Sequence, residues 1–129
     1  MKTAYVDTSC LAAIAFDERN SAAVQRRLAS FDEIVAAPLL EAELRAALRR
    51  EGSSGSLLID ELLEPVVWIA ADRALSAEIA TVLAAGYVKG ADCWHLATAL
   101  YFSPDAEDIS FLTLDERQAK VAKLLGFGR

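Results

Sequence analysis

The chain has little of what builds soft-metal sites or stapled folds. Two cysteines and one histidine occur in 129 residues. Cys10 and Cys93 belong to neither a CxxC nor a Cys/His pair with zinc spacing. Each sits among apolar residues, so buried free thiols are expected rather than a disulfide or a zinc site. Basic charge is also short: 13 Lys and Arg against 19 Asp and Glu leave a net charge of −6. That argues against a basic surface binding nucleic acid by electrostatics alone. It does not argue against a metal-dependent nuclease, where divalent cations cancel part of the charge, and it suits a basic partner chain. Long apolar runs are missing as well. Asp, Glu, Arg or Lys breaks each within a few residues, so no membrane span is expected. The N-terminal Met-Lys-Thr-Ala-Tyr-Val-Asp lacks an apolar signal core with a cleavage site. A cytoplasmic protein is expected.

What is present is enough for a core. The chain is 54% hydrophobic and 25% charged, without a repeat or a linker, and one domain over 1–129 is expected. Strands are expected at 3–6, 33–37, 66–69 and 110–113. Helices are expected at 8–16, 21–28, 39–50 and 56–63, with Leu40, Leu44, Ala47 and Leu48 on one stripe of the third. A further helix, capped by Asp72 and closed by Gly86, carries Leu75, Ile79, Val82 and Leu83. The next covers 91–102, and Asp115 opens the last, which stops at Gly126. Residues 52–55 read as a loop. Strands alternating with helices predict an α/β fold: a central, mainly parallel sheet in a three-layer α/β/α domain. Sites in such sheets form beyond the carboxyl ends of the strands, which is where Asp7 and Asp115 fall.

Carboxylates are the chemistry-bearing residues. Asp7 and Asp115 each have a competing role as helix N-caps, and Gln118 resembles the partner of a capping box at Asp115. Asp92 shares a helical stripe with Leu96, Ala99 and Leu100, so it points toward the core, where a carboxylate must be paired, protonated or metal-bound. Glu43 and Glu41 flank opposite edges of the Leu40/Leu44/Leu48 stripe, and periodicity does not choose between them. Carboxylates gathered at one sheet edge repel one another and, unless some are protonated, call for a cation. Oxygen ligands favour Mg²⁺ or Mn²⁺ over Zn²⁺. Phosphodiester hydrolysis by activated water suits such a site.

Four segments then carry a resemblance: Tyr-Val-Asp7-Thr-Ser, Glu-Ala-Glu43-Leu-Arg-Ala-Ala-Leu, Gly-Ala-Asp92-Cys-Trp-His-Leu-Ala-Thr-Ala-Leu, and Phe-Leu-Thr-Leu-Asp115-Glu-Arg with a closing Leu-Gly126-Phe. In order and separation they resemble the PIN-domain ribonucleases, most closely the VapC-type toxins of toxin–antitoxin pairs. The resemblance selects Glu43 over Glu41. It implies Asp7 and Asp92 as principal metal ligands, with Glu43 and Asp115 completing the pocket and Mg²⁺ or Mn²⁺ as cofactor. The hydroxyls of Thr8, Ser9 and Thr113 are expected to hydrogen-bond these acids. RNA as substrate, a small antitoxin and a homodimer are implied too. The chain departs from the family pattern at Cys93 and Trp94, neither of which removes a ligand.

Several residues have a structural role as their first expectation. His95 is expected to bond a neighbouring helix rather than act as a base, Trp94 to pack internally, and Trp68 to lie in the core. Arg45 and Arg49 share a face of the helix bearing Glu43. A solvated face balanced by Glu41 and Glu51 is expected there, with contacts to RNA phosphates as the functional alternative. Lys89 has the same two readings. An aspartyl-phosphate phosphatase would want a second Asp soon after Asp7, where Thr8, Ser9 and Cys10 stand. A phospho-receiver domain would want paired acids at the first strand end. A PIN-like module without catalysis, acting through a protein partner, is the rival from another class.

Overall fold

Alternation along one strand divides the core of this computed structural model, which describes residues 1–52 and 55–129. Strand β1 (Thr3–Val6) sends Ala4 and Val6 to one face and Tyr5 to the other, all fully buried. β2 (Glu33–Ala36), β3 (Val66–Trp68) and β4 (Ser110–Leu112) pair with it in the order β3-β2-β1-β4, every pair parallel. Helices α1 (Thr8–Ala15), α2 (Ser21–Ala29), α3 (Leu39–Glu51) and α4 (Ser56–Leu63) supply the residues packed on the Ala4/Val6 face. Helices α5 (Ser76–Ala85), α6 (Gly90–Phe102) and α7 (Glu116–Leu125) cover the Tyr5 face. The three-layer α/β/α expectation therefore holds. Leu40, Leu44 and Leu48 of α3 are buried as one stripe, each worth about 1.5–3 kcal/mol of transfer free energy.

The chain runs outward from β1 through β2 to β3, then crosses to place β4 on the other side of β1. The order of strands reverses between β1 and β4, and the crevice beyond their carboxyl ends is where α/β sheets bind ligands. Asp7 continues β1 there, its N–H bonded to Leu112 O of β4 at 3.1 Å.

Some expectations need correction. Asp72 does not cap α5, which begins at Ser76. Its carboxylate accepts from the Tyr101 hydroxyl at 2.8 Å instead. Leu83, expected on the apolar stripe, is exposed, because only Val82 of that turn reaches the core. Trp68 is 37% exposed rather than core: it ends an edge strand with no neighbour on its outer side. Trp94, expected to pack internally, is 36% exposed on α6. The thiols meet expectation, both free and buried, with Cys10 pushed up to about 12 by burial. Of the expected 52–55 loop, Ser53 and Ser54 lie outside the described residues. No helix among the described residues is long and apolar enough to cross a membrane.

Candidate active site

Asp7 is both the N-cap of α1 and the most buried acid of the chain, 4% exposed. Its Oδ1 accepts from the Ser9 amide at 3.1 Å and the Ser9 hydroxyl at 2.6 Å. Its Oδ2 accepts from the Thr113 hydroxyl at 2.7 Å. Burial pushes the carboxyl above its ordinary range, and the Ser9 and Thr113 bonds work against that shift. Thr113 Oγ1 also lies 2.9 Å from Gln118 Oε1 and accepts from Asp115 N–H at 3.0 Å. With one hydroxyl proton, Thr113 can donate to Asp7 or to Gln118, not to both.

Glu43 comes from α3, across the end of the sheet. Its Oε1 accepts from the Thr8 hydroxyl and from His95 Nε2, each at 2.7 Å. His95 is almost fully buried, and its Nδ1 lies 2.8 Å from the Tyr5 hydroxyl. That hydroxyl also accepts from Ala37 N–H at 3.1 Å. The phenol proton is then directed to His95 Nδ1, which leaves the imidazole proton on Nε2, facing Glu43. Tyr5, His95 and Glu43 thus form a chain of hydrogen bonds from β1 through α6 to α3. The His95 bond is the main cause that draws Glu43 below its ordinary range; burial opposes it and Thr8 assists. Glu41, tied with Glu43 on periodicity, instead holds Arg45 Nε at 2.8 Å.

Asp92 lies in the first turn of α6, half-buried, where the helix dipole favours a negative charge. Burial pushes its carboxyl up, and repulsion from Asp115 and Glu43 adds to this, while His95 and Lys89 pull the other way. The Asp92 carboxylate takes no hydrogen bond from any described residue. Asp115 caps α7, accepting from Gln118 N–H at 2.9 Å.

Two contributors are not recognised from the sequence. Gln118 reads there only as a capping-box partner. Its side chain does not return to the cap. Fully buried, it meets Thr113 and donates to the Asp92 carbonyl at 3.3 Å, tying α7 to α6. Tyr5 carries one signal, a phenol within a strand of small and β-branched residues, whose hydroxyl needs a buried partner. Among the expected basic contacts, Arg45 is engaged by Glu41 and by Asp60 at 2.6 Å. Glu51 meets Arg50 rather than either candidate, and Arg49 and Lys89 are exposed.

An all-oxygen donor set with an unpartnered, mutually repelled carboxylate fits a hard divalent cation. Among the described residues, however, no three His, Cys, Asp or Glu side chains stand close enough together to hold one as they are.

A parallel α/β domain with acids at its switch point is the class that fold and site define. Over residues 4–124 the chain matches the model of the PIN domain, and it belongs to that family. PIN domains are generally nucleases, which supports a ribonuclease-type role. No curated protein and no solved structure matches the chain.

Proposed function

We propose that this PIN-domain protein is a Mg²⁺- or Mn²⁺-dependent endoribonuclease with Asp7, Glu43, Asp92 and Asp115 as its site. The observation that carries the reading is Asp92: a half-buried acid in the first turn of α6 that accepts no hydrogen bond from any described residue, its carboxyl pushed up by burial and by the charges of Asp115 and Glu43. A bound divalent cation would supply an acidified water and offset charge on the scissile phosphate. The chain's own residues do the rest. Ser9 and Thr113 orient the two oxygens of Asp7, so its direction is set before any ligand arrives. Thr8 and His95 fix one oxygen of Glu43 and leave the other without a donor among the described residues. Asp115 has one oxygen in the α7 cap and the other available.

The resemblance to VapC-type toxins extends the proposal: a single domain over 1–129, a homodimer, and a small antitoxin that blocks the pocket. A short gene for a DNA-binding antitoxin directly upstream would support that assignment. A second reading, a binding module without catalysis, draws on the separation of the acids. RNA cleavage decides between them. The wild-type protein should cleave in Mg²⁺ or Mn²⁺ and stop in EDTA, and Asp92→Asn should lose the activity. Cleavage by Asp92→Asn at the wild-type rate would refute the assignment.

A further inference from the structure

The exposed cations expected to meet RNA beside Glu43 are partly spent on the protein itself, since Arg45 is shared by Glu41 and Asp60. Cations without such partners lie elsewhere. A groove of about 660 Å³ runs between α2 and α7, along the edge strand β4. Its floor is apolar, built from Val24 and Leu28 of α2, Leu112 of β4, and Leu114. Arg27, Lys120 and Lys123 line it and are exposed, and none of the three is ion-paired among the described residues. Glu116 is the one acidic side chain among the described residues of the lining. The local excess of positive charge is unusual in a chain of net charge −6. The lining also includes Thr113, whose hydroxyl donates to Asp7.

We infer that this groove is the track for single-stranded RNA flanking the scissile bond, with Lys120, Lys123 and Arg27 on phosphates and the apolar floor under bases. The inference rests on the proposed nuclease reading. A strand whose scissile phosphate lies at the acids must continue somewhere, and the groove shares Thr113 with them, a residue bonded to the Asp7 carboxylate and to the Asp115 amide. Lys120 and Lys123 are neighbours on one face of α7, so both reach the same side of the track. Base faces tolerate an apolar floor without sequence preference, while the cations follow the backbone.

The test uses the full chain and a fluorescein-labelled 12-nucleotide oligouridylate as probe, with anisotropy read over a salt series in EDTA so that binding is separated from hydrolysis. Each cation removed from a phosphate lowers the slope of log K against log salt by about 0.7 for a single strand. The Lys120→Gln/Lys123→Gln pair should therefore flatten the slope by about 1.4 and weaken binding most at low salt. In Mg²⁺ it should raise KM for the 12-mer, with kcat unchanged and a trinucleotide cleaved as by wild type. An unchanged slope and KM in the double variant, or no RNA binding by the wild type, would overturn the track. Binding of an acidic amphipathic peptide in the groove in preference to the oligonucleotide would overturn it too. Failure of the wild type to cleave RNA would count instead against the nuclease reading, which the binding slopes do not measure.

Discussion

At the residue scale, Asp7 shows what burying an acid costs. Its carboxylate is buried, and three hydrogen bonds do not fully offset the lost hydration, so its folded-state pKa lies above the ordinary value. The folded protein then binds the Asp7 proton more tightly than the unfolded chain does. Asp7 therefore contributes stability below its unfolded pKa, and that contribution is lost as pH rises through the folded value. Glu43 behaves oppositely. Held below its ordinary range by His95, it contributes above the unfolded pKa and loses that contribution as pH falls through the folded one. Asp7→Asn isolates the first effect. An asparagine amide could donate to Thr113, whose proton would turn to Gln118 Oε1, already at 2.9 Å. Each bond now made at the side chain keeps a partner, and the buried charge is gone. In urea unfolding without divalent cations, Asp7→Asn should equal or exceed wild-type stability at neutral pH and should lack the decline that Asp7 imposes as pH rises. A variant less stable than wild type by more than about 1 kcal/mol, the scale of one hydrogen bond, would contradict this account.

At the scale of elements, α7 depends on Asp115 for its start and on Gly126, at φ 100°, for its end. A left-handed terminal position favours glycine. The N-cap and the proposed site compete for the same carboxylate, and substitutions separate them. Asp115→Asn keeps an acceptor for Gln118 N–H and should leave thermal stability nearly unchanged while reducing RNA cleavage. Asp115→Ala should reduce cleavage and also cost about 1 kcal/mol of stability. Should Asp115→Asn cleave RNA as wild type does, the carboxylate is a cap and nothing more. Element boundaries are readable where caps and apolar periods agree. Thr3–Val6, Ser56–Leu63 and the Asp115 cap coincide with expectation. Asp72 misleads because a good capping residue precedes an apolar stripe there, yet the helix waits for Ser76 while Tyr101 claims the carboxylate. That competitor is 29 residues away, beyond any local pattern.

For the whole molecule, the parallel sheet, its two covered faces and the positions of Asp7 and Asp115 follow from alternation alone. What periodicity leaves open is decided across the fold. Glu43 parts from Glu41 where His95 and Thr8 meet the one and Arg45 the other. The Tyr5–His95–Glu43 chain and the role of Gln118 join elements distant in sequence, so no spacing rule exposes them. Exposure of Trp68 likewise depends on which strand is the edge of the sheet. The central claim concerns acids that repel one another at the switch point and would be drawn together by a cation. A calorimetric Mn²⁺ titration tests it most directly. The wild-type protein should give a saturable isotherm, and both Asp7→Asn and Asp92→Asn should abolish it or weaken it by at least about tenfold, the equivalent of 1.4 kcal/mol. Absence of Mn²⁺ binding by the wild type, or the same isotherm from both variants, would contradict the account.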